Sequence, residues 1–460
     1  MTTYEHKEMF DIIGVGLGPF NLGLAALLDP VPDVRALFFE QKPQFDWHSG
    51  MILEGTTLQV PFFADLVTMA DPTSRYTFLN YLREHDRLYH FYFLERFLIP
   101  REEYNLYGRW VSGQLEICRF RHKVTRIDHV EENGISYFRV EVVSAATKQS
   151  SVYHAKDLVL GVGSVPDFGP QFQGFPEEDI FHSARFKDRL DRCRKAKSIT
   201  VIGSGQSAGE VFYKLLQEQK DYGYRLDWFT RSGGFFPMEY SKLGLEHFSP
   251  DYIYYFYSLP QEKRDDRLKT QDLWYKGMAS KWIADIYDLL YERTIGNREV
   301  PFSMLAHTEV QKIEQVEGKR KYRLSCFHRE QEKGFTHESE VVIFATGYEH
   351  RIPSCVKNLS SLIQWDEKKR YRVELDYRLK LTKEIDNRIF VQNAELHTHG
   401  VGSPDLGLGC YRNSVIINQL AGKEVYPVRK RNVFQQFGVS ESDENAGVKQ
   451  PAEPLSVSSS

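Results

Sequence analysis

The stretch Phe10-Asp11-Ile12-Ile13-Gly14-Val15-Gly16-Leu17-Gly18-Pro19-Phe20-Asn21 decides how the chain reads. A short apolar run of the kind buried on both faces of a parallel sheet gives way to alternating glycines. Leu22 to Leu28 then follow with helical spacing. Glycines in such a strand–turn–helix permit a tight turn and let backbone N–H groups approach a pyrophosphate at the helix N-terminus. The pattern recurs about 190 residues further on, as Ser198-Ile199-Thr200-Val201-Ile202, then Gly203-Ser204-Gly205-Gln206-Ser207-Ala208-Gly209-Glu210, then Val211 to Leu216. One glycine fingerprint is weak evidence. Two in the same context indicate two dinucleotide sites, one in each Rossmann-like unit.

Two further strand-and-glycine segments complete the plan. Asp157 to Ser164 runs into Val165-Pro166, where the chain can leave the first unit, and Val341 to Phe344 followed by Ala345-Thr346-Gly347-Tyr348 can return it. The expected fold is therefore α/β with two Rossmann-like domains, the second inserted in the first. Residues 6–167 and 345–428 form the first domain and 168–235 with 300–344 the second. Between them, 236–299 is rich in Tyr, Trp and Leu at helical spacing (Trp282, Ile283, Ile286, Leu289, Leu290) and reads as a helical substrate-binding region. From 439 to 460 the chain is serine-rich without aromatics and reads as a disordered tail.

The strand ends distinguish the two sites. Ala36-Leu37-Phe38-Phe39-Glu40 places an acid 21 residues after Pro19, the position of a carboxylate on ribose hydroxyls. The second unit instead ends its strand in Leu226-Asp227-Trp228-Phe229-Thr230-Arg231. A guanidinium there clamps a 2′-phosphate that a carboxylate would repel. The first site is thus read as holding FAD and the second NADPH. Together they bound the chemistry to hydride transfer into a flavin, with electrons passing on to a disulfide, a carrier or oxygen.

Composition narrows the classes. With 460 residues, 59 Lys plus Arg and 63 Asp plus Glu, the net charge of −4 gives no support to a nucleic-acid partner. Mean hydropathy of −0.46 and a pI near 6.5 suit a soluble protein, and no apolar run reaches the roughly 18 residues of a membrane span. The N-terminus carries charges and lacks an apolar signal segment, so a cytoplasmic enzyme without a membrane partner is expected. Five scattered cysteines form no Cys-x-x-Cys, which weakens disulfide exchange as the electron acceptor. His397 and His399 would share a face of a strand, but no further ligand accompanies them, so no metal is expected.

Taken together, Gly14 to Leu22, Phe45-Asp46-Trp47-His48, Asp71-Pro72-Thr73-Ser74, Gly203 to Ala208, Ala345 to Tyr348 and Asn393-Ala394-Glu395-Leu396-His397-Thr398-His399-Gly400 resemble the microbial N-hydroxylating flavin monooxygenases of siderophore biosynthesis. That family includes lysine N6- and ornithine N5-hydroxylases, and the resemblance runs from about Asp11 to Gly422. It implies that NADPH reduces FAD, that the flavin takes up oxygen as a C4a-hydroperoxide, and that a substrate amine attacks the distal oxygen to give a hydroxylamine. Gly14, Gly16, Gly18 and Pro19 would then border the FAD pyrophosphate, with Glu40 on the ribose and Trp47, His48 and Gln59 against the flavin. Gly203, Gly205, Gln206 and Ser207 would hold NADPH, Arg231 its 2′-phosphate, and Ala345, Thr346 and Gly347 would lie beside the cofactors. No residue is assigned as catalytic, because the flavin carries the reaction. Relatives are commonly homotetramers or dimers, so a homo-oligomer is expected.

The sequence departs from the amino-acid hydroxylases at Leu58-Gln59-Val60-Pro61-Phe62-Phe63-Ala64-Asp65-Leu66, where they carry a lysine at the position of Ala64 to pair with the substrate α-carboxylate. A buried carboxylate without a cation is costly to desolvate. The same resemblance places Leu245 and Trp274 where ornithine hydroxylases carry asparagines that bind the amino-acid backbone. The expected substrate is therefore a short aliphatic diamine (cadaverine, putrescine or diaminopropane), with Asp405 or Glu239 accepting its distal ammonium. L-lysine or L-ornithine N-hydroxylation is the alternative, and a flavoprotein redox sensor the non-catalytic one.

Overall fold

The structure is a computed structural model that describes residues 3–439; the tail assigned to 439–460 otherwise lies outside them. Ile12 and Ile13 are fully buried on opposite faces of the strand Thr3–Val15, because helices and a second layer cover both sides of its sheet. Parallel strands run in the order Cys118–Phe120, Ala36–Glu40, Thr3–Val15, Ser150–Leu160, and Ile389–Val391 joins the last of these. The antiparallel strands His122–Glu132 and Ile135–Ser144 extend the same sheet. Arg388 pins the late strand in register, its Nε and Nη2 donating to Asp157 Oδ2 at 2.9 and 2.6 Å. The first glycine turn opens the helix Pro19–Leu28, whose proline sits in the first turn, where its missing N–H has no intrahelical partner to lose.

The second sheet is wholly parallel, in the order Ile180–His182, Val341–Phe344, Ser198–Ile202, Arg225–Phe229, Phe302–Leu305. Its glycine turn opens the helix Gln206–Tyr222, which ends at Gly223 in the left-handed region. A three-stranded meander, Thr308–Gln315, Tyr322–His328 and Lys333–Ser339, covers one side. The chain leaves the first sheet through Val165–Pro166 and returns through Tyr348–Glu349. These two segments pair with each other as a short antiparallel ribbon. The fold is α/β with two Rossmann-like units.

The helices between the two sheets divide. Ser280–Thr294 packs on Gln206–Tyr222 and buries Trp282 and Ile286 in the core of the second sheet, so this part of 236–299 belongs structurally to the second unit rather than to a substrate cap. Pro250–Ser258 and Gln261–Thr270 instead pack against Leu396–His399 of the first unit. Asp265 fixes Gln261–Thr270 there by accepting from both terminal nitrogens of Arg370, at 3.0 and 3.2 Å.

Candidate active site

Both glycine turns open into one cleft of about 1630 Å³ between the two sheets. That exceeds the roughly 300–1,000 Å³ of a pocket for one drug-sized ligand. Gly16, Gly18, Pro19, Glu40, Trp47, His48 and Gln59 line it from the first unit. Gly203, Gly205, Gln206, Ser207 and Arg231 line it from the second, and Ala345, Thr346 and Gly347 lie where the chain crosses back. Gly14 sits one step down the strand, pressed against the Phe38 ring.

The turns are built by close backbone approach. Gly203 has φ of +133°, and a Cβ there would lie 2.2 Å from the Ala345 carbonyl oxygen. Gly18 differs: a Cβ would meet no protein atom within 4 Å, so space toward the cleft is open. Glu40 accepts from the backbone N–H of Leu17 and of Lys42, both at 2.9 Å, which ties the end of its strand to the glycine turn. Arg231 is exposed and makes no ion pair among the described residues. Beside it the hydroxyls of Ser204 and Ser232 lie 3.0 Å apart.

The deep wall is aromatic. The Trp47 and His48 rings lie 4.5 Å apart, and Tyr348 stands edge-on to both His48 and His182, at 5.2 and 5.1 Å. Burial, helped by the positive charge of Arg101, pulls the His48 imidazole down to about 4. Burial does the same to His182. Both rings are therefore neutral at physiological pH. Two cleft residues carry buried amide atoms without a hydrogen-bond partner among the described residues: Gln59 Nε2 and Gln392 Oε1. One donor and one acceptor of this kind suit a flat ligand edged with carbonyl and N–H groups.

Ala64 is buried, and Asp405 lies close to it: a methyl placed on Gly407 would touch Asp405 Oδ1 at 2.8 Å and the Ala64 Cβ at 3.8 Å. Pro404 and Leu406, on either side of Asp405, line the cleft, whereas Asp405 and Ala64 themselves lie behind that lining. Asp405 Oδ1 accepts from Gly407 N at 2.7 Å, and no lysine or arginine among the described residues pairs with the carboxylate. Burial raises this acid to about 6.

Other sequence expectations fall elsewhere. Glu239 is exposed and turned onto its own loop, where Oε1 accepts from Ser241 N at 2.6 Å. Leu245 ends a short exposed helix, and Trp274 packs on His247 with ring centres 3.9 Å apart. None of the three lines the cleft; Phe236, Leu273 and Tyr275 stand there from this region instead. His397, which does line the cleft, and His399 lie on the helical turn Leu396–His399, not on a strand. Their Nε2 atoms face the carbonyls of Tyr371 and Leu375 at 2.7 and 3.2 Å, which occupies one nitrogen of each ring with backbone. Gln392 and Tyr348 were not singled out from sequence as individual contacts. Only the strand-plus-glycine context around each could have flagged it.

Comparison with known proteins agrees with this geometry. The pattern of the L-lysine 6-monooxygenase/L-ornithine 5-monooxygenase family matches residues 8–350. A putrescine N-hydroxylase of Acinetobacter baumannii is 42% identical over 452 residues, 98% of each chain. A cadaverine monooxygenase of the desferrioxamine pathway of Erwinia amylovora, solved with FAD bound, superposes with a TM-score of 0.90 at 40% identity, covering 95% of this chain and all of that one. An ornithine N-hydroxylase of Kutzneria, solved with reduced FAD, NADP+ and L-ornithine, gives 0.83 at 25% identity, covering 90% of this chain and 99% of that one. Two glycine turns facing one cleft, matched over most of the chain to these relatives, place the chain in the L-lysine 6-monooxygenase/L-ornithine 5-monooxygenase family.

Proposed function

We propose that this FAD- and NADPH-dependent monooxygenase hydroxylates one primary amine of a short aliphatic diamine, for hydroxamate siderophore biosynthesis. The observation that carries the choice of substrate is the unpaired Asp405 carboxylate beside Ala64. A site for an amino acid needs a free cation at the far end of the substrate; here Arg412, whose charge acts on Asp405, is already paired with Glu395 at 3.0 Å, which leaves Asp405 as the available charge. The similarity to a putrescine N-hydroxylase and a cadaverine monooxygenase points the same way.

Bound FAD, reduced by NADPH, supplies the oxygen-transfer chemistry. The protein binds and orients. The Gly16 and Leu17 N–H groups are spent on the Phe39 carbonyl and on Glu40, so the Gly18 N–H and those opening the helix Pro19–Leu28 would hold the FAD pyrophosphate, with Glu40 on the ribose and the amides of Gln59 and Gln392 at the flavin edge. Gly205, Gln206 and Ser207 hold NADPH, with Arg231 on its 2′-phosphate. Asp405 holds the distal ammonium, which turns the other amine toward the flavin. That amine must be neutral to attack, although a free alkylamine of pKa about 10.4 is mostly ammonium. Leu406 and the aromatic wall disfavour the charged form and exclude water.

Arg231→Ala is expected to raise KM for NADPH by about tenfold or more while changing NADH use little, since a charge-assisted bond to phosphate is lost. Steady-state kinetics with both nucleotides check this, and equal losses with each contradict the assignment. Gly18→Ala is expected to leave the melting temperature of the apoprotein within about 1 °C, because the new methyl meets no protein atom. Its FAD affinity should fall, which equilibrium titration reads directly.

The protein acts in the cytoplasm as a homo-oligomer. No described helix is long and apolar enough to cross a membrane. The helix Leu88–Leu94 exposes Tyr89, Tyr92 and Phe93 at 76, 69 and 72%, an aromatic patch of the kind that subunit contacts cover. Analytical ultracentrifugation of Tyr92→Glu/Phe93→Glu against the parent tests it: dissociation is expected, and an unchanged sedimentation coefficient argues against this surface.

A further inference from the structure

A hydrogen-bonded chain runs between the two dinucleotide units. It begins at Trp47, whose N–H donates to Asn105 Oδ1 at 2.8 Å and whose carbonyl accepts from Asn105 Nδ2 at 2.9 Å. Asn105 Nδ2 also donates to the carbonyl of Arg101, one turn earlier on the helix Arg101–Ser112. The Arg101 guanidinium then crosses to the second unit. Its Nη1 and Nη2 meet the two carboxylate oxygens of Glu210, each at 2.9 Å, and Nη1 donates to the Met51 carbonyl at 2.7 Å. Glu210 Oε1 accepts from Gln206 Nε2 at 2.7 Å, and Gln206 Oε1 accepts from Ala279 N at 2.8 Å. Trp47 and Gln206 both line the cleft, so the chain connects its two walls from behind.

The pair is deeply buried, with side-chain exposures of 11% for Arg101 and 0% for Glu210. A second contact lies next to it. The turn Ser49–Met51 lodges Met51 in the core of the second unit, and a Cβ on Gly50 would collide with the Ala184 carbonyl oxygen at 1.8 Å. The two units are thus keyed together at the base of the cleft.

A buried ion pair commonly adds little stability over apolar residues of the same volume. What a forked guanidinium–carboxylate contact adds is direction, because both bonds form in only one relative orientation. We propose that Arg101 and Glu210 are positioning residues that fix the Gln206 turn relative to the Trp47–Met51 segment and so set the geometry of hydride transfer from NADPH to FAD. In that step a hydride leaves NADPH, which becomes NADP+, and the flavin gains it together with one solvent proton. The inference rests on the assignment of FAD to the first turn and NADPH to the second.

The test uses FAD-loaded Glu210→Gln, which keeps shape and drops charge, and the double variant Arg101→Met/Glu210→Met, which replaces the pair with apolar side chains. Two readouts are taken: anaerobic flavin reduction per bound FAD at saturating NADPH, and amide hydrogen exchange at 49–51 and 206–210. Misplacement by about 1 Å costs up to about 100-fold in rate, so a fall of roughly tenfold to 100-fold is expected in the double variant. Glu210→Gln should lose less in the same direction, and exchange should rise at both segments together. Parental reduction rates in both variants, or faster exchange with an unchanged rate, would overturn the proposal and leave the pair a structural contact. Failure of the parent protein to reduce its flavin with NADPH would instead reject the cofactor assignment itself.

Discussion

Asp405→Asn is expected to lower kcat/KM for cadaverine and putrescine by about 30-fold or more. The substitution keeps the shape and the bond from Gly407 but removes the charge proposed to meet the distal ammonium. Truncating one member of a buried charge pair costs roughly 2–5 kcal/mol, which is about 30-fold at its lower end. The effect has a pH signature. Burial raises the Asp405 carboxyl to about 6 in the free protein. Its anionic form, which the cation needs, is therefore present above about pH 6 and lost as the pH falls through that value. The kcat/KM profile for a diamine should show an acid limb near pH 6 that is absent in Asp405→Asn. His48 and His182, held near 4, do not account for such a limb. A variant with parental kcat/KM and the same limb would remove Asp405 from the site.

Gly203→Ala should have the second large effect, through backbone rather than charge. At φ of +133° an alanine is strained by roughly 1–3 kcal/mol. Its methyl would also lie 2.2 Å from the Ala345 carbonyl, a strand-end backbone atom with no rotamer to change. The second turn or the crossover at Ala345 must shift, while the first glycine turn makes no contact with the new methyl. The purified variant is expected to keep its flavin spectrum and to lose NADPH-driven reduction by about 100-fold, in line with ångström-scale misplacement. Simultaneous loss of FAD would show that the two turns are not independent.

The residues that the sequence revealed are those whose meaning is local. Gly16 and Gly203 announce themselves because a buried strand, a glycine and a helix follow one another within a dozen residues. Arg231 stands out because the end of a neighbouring strand has a fixed place in a parallel sheet. What was hidden depends on contacts across long stretches of chain. Arg101 and Glu210 are 109 residues apart, and nothing near either position signals the other. The apolar spacing of Ser280–Thr294 correctly gives a helix but not the surface it buries, which proved to be the second sheet's core. His397 and His399 show the same limit: alternation in a short run suited a strand, yet the turn of Leu396–His399 is helical and spends a nitrogen of each ring on backbone carbonyls. Leu245, Trp274 and Glu239 missed the cleft because short helices joined by loops leave register unconstrained by any period.

The most direct test of the central claim is hydroxylamine formation by the FAD-loaded enzyme with NADPH and oxygen across cadaverine, putrescine, 1,3-diaminopropane, L-lysine and L-ornithine. If Asp405 takes the distal end of the substrate, at least one diamine should exceed both amino acids in kcat/KM by about 100-fold or more, because a carboxylate brought there meets an anion, and the neighbouring Arg412 is already paired with Glu395. Among the diamines, one methylene changes discrimination by only about 1–3 kcal/mol. Higher kcat/KM for L-lysine or L-ornithine than for every diamine would contradict the central claim.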